Sequence, residues 1–352
     1  SLIIHNHLIG FKFEKGYNYN FKLDKSEKSS TILCSKNNEF CKNVDADFQK
    51  FTKLGQSFMY EISTNKLKEI ASIQDKEFSI WRPIPPKNFC SIGDVILNKS
   101  SDADVAVIWS VLWLGRMAKY RQIWQRYRQN NKPVVVLEVG GLRRNKSFKI
   151  AINGVNRKAD FANQHVDDQR WPLFEHTMKP WRQRGQTIIV LGQHNASEQW
   201  AGMPDMRTWF ELQVQQIRKY TDRPIQIRPH PRNNVGFDIK KYYNVTLKNP
   251  VIDISKIDDT DFKDTLKDAW AVVNHSSNPA MEAVINGVPV FVSESSLCYD
   301  VGNHSFQTIN NPHMPDRTSW ANKLSYTEWF PNEIEKGLPW KRIKARLEEA
   351  HL

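Results

Sequence analysis

The sequence predicts an α/β fold from about residue 103 onward, with parallel sheets covered on both faces and a β-rich module ahead of them. Three observations predict it. Short continuous runs of β-branched and other apolar residues recur, as buried parallel strands require. Stretches of helical periodicity separate those runs. The chain also changes character near residue 102.

Before residue 102, Lys, Asn, Phe and Ser dominate, as in Phe11-Lys12-Phe13-Glu14-Lys15 and Tyr17-Asn18-Tyr19-Asn20-Phe21. Alternating aromatic and polar residues read as β-strands. Trp81-Arg82-Pro83-Ile84-Pro85-Pro86 is extended, because proline blocks helix and biases its predecessor toward β or polyproline II. The stretch Ile80-Trp81-Arg82-Pro83-Ile84-Pro85-Pro86-Lys87-Asn88-Phe89-Cys90-Ser91-Ile92-Gly93-Asp94 resembles a short motif of β-rich Vps62/VPS13-type modules, and no activity follows from it. Residues 1–102 therefore read as a separate β-rich module, an attachment or packing element.

After it, Val105-Ala106-Val107-Ile108-Trp109 reads as a buried strand, and 115–129 as a basic amphipathic helix. Pro133-Val134-Val135-Val136-Leu137 and Thr187-Ile188-Ile189-Val190-Leu191 follow as strands. A helix is expected over 208–220, and Ile225-Gln226-Ile227-Arg228 is a strand stopped by Pro229. Residues 269–273 read as a strand, 279–286 as a helix and 288–292 as a strand. The segment 340–351 is an amphipathic helix suited to closing the fold.

A length of 352 residues suggests two or three domains, at ~100–200 residues each. With 40% hydrophobic and 11% aromatic residues the chain has enough apolar material for real cores, which argues against wholesale disorder. No apolar run long enough for a membrane helix is visible, and the first residues carry no signal-peptide pattern, so a cytoplasmic setting is expected. For a viral enzyme that setting is the host cytoplasm or the virion. Cys34, Cys41, Cys90 and Cys298 are scattered without the tight pairs of a zinc site, so reduced thiols and no metal are expected. The net charge is +12, and between Asp104 and Ile150 ten Lys/Arg face two acidic residues. Such a cluster attracts nucleic acid, phosphorylated sugars or an anionic surface, or is an ordinary solvated helix face.

In doubly wound sheets, ligands bind beyond the carboxyl ends of the strands. Four strand ends here carry polar residues. In Leu137-Glu138-Val139-Gly140-Gly141-Leu142-Arg143-Arg144, Glu138 is placed to deprotonate a hydroxyl, or else caps a helix or pairs with Arg143. The paired glycines allow a tight turn, and the arginines fork onto phosphate or carboxylate. In Leu191-Gly192-Gln193-His194-Asn195, the glycine allows close approach of a ligand, and Gln193 and Asn195 offer donors and acceptors; a plain polar turn is the alternative. In Arg228-Pro229-His230-Pro231-Arg232, two prolines fix a histidine between arginines, suited to a phosphate whose charge grows as it leaves. In Asn274-His275-Ser276-Ser277-Asn278-Pro279, hydroxyls precede a helix that begins with proline, and Glu282 lies one turn inside it, where a carboxylate can hold ribose hydroxyls. Helix capping by Ser277 or Asn278 explains the same residues.

The ordered set Glu138-x-Gly140-x-Leu142-Arg143, Gly192-Gln193, Arg228-Pro229-His230-Pro231 and Ser276-Ser277…Glu282-Ala283…Gly287-x-Pro289-Val290 resembles the capsule-polysaccharide-synthesis (KpsC/KpsS-like) Kdo transferases over roughly 103–300. The His-Pro and Ser motifs are also similar to those of bacterial polysialyltransferases. The resemblance implies a GT-B-like pair of Rossmann-type lobes, with 103–185 on the acceptor side and 186–352 on the donor side. It implies a nucleotide-activated sugar donor, commonly CMP-linked, held without metal or other cofactor, with His230, Ser276 and Ser277 on the donor phosphate. In those enzymes an aspartate follows the glutamate as the candidate base. Val139 stands there, leaving Glu138 or a nearby Asp such as Asp160.

The leading expectation is thus a glycosyltransferase acting on a hydroxyl of an anionic acceptor, a glycan or modified DNA. Glu138 and His230 would do the chemistry. Gly192, Gln193, Arg228, His230, Arg232, Ser276, Ser277, Asn278 and Glu282 would hold the donor, and Arg143 and Arg144 the acceptor. Trp320, Trp329 and Trp340 would stack sugars or pack a core. The alternatives are a non-catalytic, nucleic-acid-binding scaffold and a CDP-alcohol phosphotransferase-like enzyme.

Overall fold

The computed structural model describes residues 2–5, 8–9, 30–32, 78–80 and 104–350, the last apart from 119, 234, 254–257 and 260. The stretch 80–94 therefore lies outside the described residues except for Ile80, and Cys34, Cys41 and Cys90 lie outside them entirely.

In chain order the strands are β1 (Leu2–His5), β2 (Leu8–Ile9), β3 (Ser30–Ile32), β4 (Phe78–Ile80), β5 (Val105–Trp109), β6 (Val134–Val139), β7 (Phe148–Ile152) and β8 (Thr187–Leu191). They continue as β9 (Ile225–Arg228), β10 (Val245–Leu247), β11 (Ile252–Asp253), β12 (Asp258–Asp259), β13 (Ala269–Asn274), β14 (Val290–Val292) and β15 (Glu328–Trp329). The α-helices are α1 (Tyr120–Gln129), α2 (Met206–Arg218), α3 (Phe262–Thr265), α4 (Pro279–Ile285), α5 (Thr318–Ser325), α6 (Pro331–Glu335) and α7 (Leu338–Glu349).

Two five-stranded sheets dominate. The first has the order β15-β7-β6-β5-β4. Its β4, β5 and β6 are parallel, whereas β7 and β15 are antiparallel to their neighbours. The expectation of purely parallel sheets fails here, because only a short loop joins β6 to β7 and a parallel return needs a long crossover. The second sheet has the order β10-β9-β8-β13-β14, and every pairing is parallel. Counted within that sheet, the order is third, second, first, fourth, fifth. β1, β2 and β3 form a small antiparallel sheet.

Pairing crosses both sequence-level boundaries. β4, from the N-terminal third, lies beside β5, and β15 brings residues 328–329 back to β7. The chain after β15 packs there too: Trp329, Ile334, Trp340, Ile343 and Leu347 join the core of the first sheet with Tyr120, Ile123, Trp124 and Tyr127 of α1. Those α1 positions recur at helical spacing, which leaves Arg121, Arg126 and Arg128 in solvent. The helix expected over 115–129 is broken: a 3₁₀ turn at Gly115–Met117 precedes α1. Trp320, Trp329 and Trp340 are all core residues.

The second sheet is buried on both faces. α4 and α5 cover one, and α2 covers the other with Trp209, Phe210, Val214 and Ile217. Asp205 caps α2, its carboxylate accepting from the Thr208 N–H at 3.1 Å.

Candidate functional site

In a sheet of this order the connections from β8 and β13 leave in opposite directions, so a crevice opens beyond their carboxyl ends. Gln193 follows β8 there, and Ser276 follows β13. The Ser276 N–H donates to Gln193 Oε1 at 3.2 Å, and the amide and hydroxyl of the two side chains lie 3.2 Å apart. Both residues are buried. Ser277 accepts from Asn274 Nδ2 at 2.6 Å, so its hydroxyl is oriented by the last residue of β13. Asn278, the N-cap residue of α4, makes no capping hydrogen bond with its side chain.

The His-Pro segment sits beside this crevice. Asn233 Nδ2 donates to the Gln193 carbonyl at 3.2 Å, and the rings of His194 and His230 meet edge to face at 5.4 Å. Burial pushes the His230 imidazole down to about 3, helped by His194, Arg232 and Arg144. Burial and Arg232 also lower His194. Both rings are therefore neutral at pH 7. His230 Nδ1 faces the Arg232 N–H at 3.1 Å, and His194 Nδ1 faces the Ala196 N–H at 3.2 Å. A ring nitrogen that accepts a backbone proton carries none itself, so each histidine is the Nε2–H tautomer. His194 Nε2 is buried and has no protein partner. The site thus holds two fixed, neutral N–H donors. His194 was not singled out from the sequence; its place directly after Gly192-Gln193 was the available signal.

Gly192 lies against the His-Pro segment. A Cβ there would meet His230 N at 3.0 Å and Phe210 Cζ at 2.9 Å. The missing side chain admits the His-Pro backbone. Arg228 is held inside the fold. It is 2% exposed, and its guanidinium forms an ion pair with Asp261 and reaches Thr265 Oγ1 at 3.4 Å. It locks β9 to the start of α3. Arg232 is exposed, and Glu282 lies half-buried in the first turn of α4.

Glu138 is the penultimate residue of β6. Its Oε2 accepts from Ser110 Oγ at 2.5 Å and its Oε1 from the Val139 N–H at 2.8 Å. Ser110 has φ 62, the left-handed region that a non-glycine residue rarely takes, directly after β5. Sequence reading missed this support. Asp160 is engaged elsewhere: burial would raise its carboxyl, but the Ala162 N–H and Arg346 outweigh that and hold it low.

Gly140 and Gly141 do not occupy positive φ. They are small because neighbours crowd them: a Cβ on Gly140 would lie 2.4 Å from Glu328 Oε2, and one on Gly141 2.4 Å from Met281 Cε and 2.7 Å from Asn278 Cγ. The turn after β6 is thereby pressed onto the start of α4. Asn278 accepts from Lys149 Nζ at 2.6 Å, which joins the two sheets. Arg143 forms an ion pair with Glu175. Arg144 is exposed, and its charge is felt at His230. The sheets also meet where Trp113 N–H donates to the Ala196 carbonyl at 3.0 Å, so the loops after β5 and β8 touch.

Among the described residues, no group of three or more His, Cys, Asp or Glu could hold a metal ion, and no helix is long and apolar enough to cross a membrane. Cys298 is buried, which pushes its thiol up to about 12.

No protein-family model matches the chain, and no curated protein does. Among solved structures it is similar to the Thermosulfurimonas dismutans KpsC beta Kdo 2,7 transferase, with 15% identity and a TM-score of 0.43 over 77% of this chain and 100% of that one. It is also similar to the beta Kdo 2,4 transferase of KpsC from the same organism, with 12% identity and a TM-score of 0.43 over 72% and 90% of the two chains.

Proposed function

We propose that this chain is a metal-independent glycosyltransferase of the GT-B type, moving a sugar from a nucleotide donor to a hydroxyl of an anionic acceptor. The observation that carries the reading is the pair of neutral Nε2–H histidines, His194 and His230, beside Gln193, Ser276 and Ser277 at the switch point of a parallel sheet. In such a reaction the acceptor oxygen bonds to the anomeric carbon, and the bond from that carbon to the phosphate oxygen breaks. Charge grows on the leaving nucleotide. Fixed N–H donors aimed at that oxygen stabilise the transition state without reorganising. Glu138, oriented by Ser110, takes the acceptor proton. Arg144 and Arg232 draw in the anionic groups.

A thermal-shift screen against CMP, CDP, UDP, GDP and their sugars tests this. Ligand at ~100 times its dissociation constant adds about 2.7 kcal/mol of stability. One nucleotide class should stabilise the protein, and His230→Ala should abolish the effect. Product analysis with the active donor would separate sugar transfer from phosphoalcohol transfer. Failure of every nucleotide on folded protein would favour the second reading, a nucleic-acid-binding scaffold, which the exposed Arg121, Arg126 and Arg128 of α1 support.

A further inference from the structure

A cavity of 560 Å³ lies beyond the carboxyl ends of β13 and β14, on the α2 side of the second sheet. It falls within the ~300–1,000 Å³ typical of small-molecule sites. Trp209, Phe291 and Phe306 give it apolar walls, and the last two rings stack at 5.6 Å. Gln199, Gln213, Asn274 and His275 add polar groups. Asn274 is 2% exposed, and its Oδ1 accepts no hydrogen bond from the protein. A buried acceptor without a donor is costly unless something supplies one.

The charges around the cavity disfavour an anion. Its one lining Lys or Arg, Lys158, is paired with Glu294 at 2.5 Å. The other lining carboxylate, Glu198, accepts from Trp113 Nε1 at 2.8 Å. A phosphate would therefore face two carboxylates and one neutralised cation. Aromatic walls, side-chain amides and an unmet acceptor instead suit a ring with one apolar face and many hydroxyls.

We propose that this cavity is a binding pocket for a neutral pyranose unit, separate from the nucleotide crevice. One hydroxyl donates to Asn274 Oδ1, and others exchange hydrogen bonds with Gln199 and Gln213. Asn274 also donates to Ser277, so the pocket and the crevice share one side chain. The proposal does not require the transferase reading.

Saturation-transfer NMR and calorimetry on the full chain would test it, using methyl pyranosides of the gluco, galacto, manno and N-acetylhexosamine series as probes. At least one should bind. Gln213→Trp, which fills the cavity from α2, should weaken it by about tenfold or more, a loss of ~1.4 kcal/mol. If that variant fails to fold, Ala201→Trp fills the cavity from the facing loop. The thermal response to nucleotides should survive either substitution. Binding of none of the pyranosides to folded protein would overturn the proposal, as would displacement of the bound sugar by CMP alone. Failure of every nucleotide with retention of sugar binding would sink the transferase reading and leave this one standing.

Discussion

The Glu328 carboxylate accepts the Gly141 N–H at 2.7 Å across 187 residues of chain. It also accepts the Leu142 N–H at 3.1 Å and the Ser147 hydroxyl at 2.7 Å, and its residue is fully buried. The turn that carries Arg143 and Arg144 is thus held by a single buried anion. Lys149 opposes it across the strand pair, with its own charge disfavoured by burial.

Glu328→Ala removes one partner of a buried charge network and leaves several donors unmet. We expect a loss of about 3–5 kcal/mol, measured by urea unfolding. Glu328→Gln should lose less, since it keeps an acceptor.

Gly141→Ala drives a methyl into Met281 and Asn278. Overpacking of this kind destabilises by about 1–3 kcal/mol. Met281→Ala in the same chain should recover part of that. A double-mutant cycle on urea midpoints checks the coupling, and strict additivity would refute the contact.

His230 gives stability a defined pH dependence. Its folded value of about 3 lies below the ~6.5 of an unfolded histidine. Between those values the unfolded chain binds a proton that the folded chain refuses. The contribution is intact above pH ~6.5 and is lost as pH falls toward 3. At ~1.36 kcal/mol per unit, moving from pH 7 to pH 5 removes at most about 2 kcal/mol. His230→Gln should flatten that slope relative to the parent, read from urea melts at both pH values.

Arg228→Met separates support from recognition. Losing half of the buried pair with Asp261 should cost about 3–5 kcal/mol of stability. Nucleotide affinity at a temperature where the variant is folded should be unchanged, in contrast to His230→Ala. Calorimetry below the melting transition distinguishes the two.

The elements legible in the sequence were those whose burial writes itself as an apolar run, β5, β6, β8, β9, β13 and β14, with the helices α2, α4 and α7. β7 was hidden because Lys149 interrupts Phe148-Lys149-Ile150-Ala151-Ile152, and its flanking Arg143, Arg144 and Lys146 read as an anion-binding patch. β15 has two residues, and one is a buried glutamate, so neither length nor hydropathy marks it. The site motifs were legible as positions but not as roles. Arg228 and His230 stand two residues apart at one strand end, yet Asp261, 33 residues onward, turns the first into an internal strut. Gly140, Gly141 and Gly192 announced tight geometry, but only the fold shows that the close neighbours are other parts of the chain.

The return of β15 to β7 bears on how the protein is made. During synthesis the strands of the second sheet all emerge before residue 293, so that sheet can close while the ribosome is still at work. The first sheet cannot: β7 has emerged by residue 152, but its edge partner waits until residues 328–329. For more than 170 residues of elongation the nascent chain presents an uncovered strand edge, the kind that recruits chaperones or sticks to its neighbours.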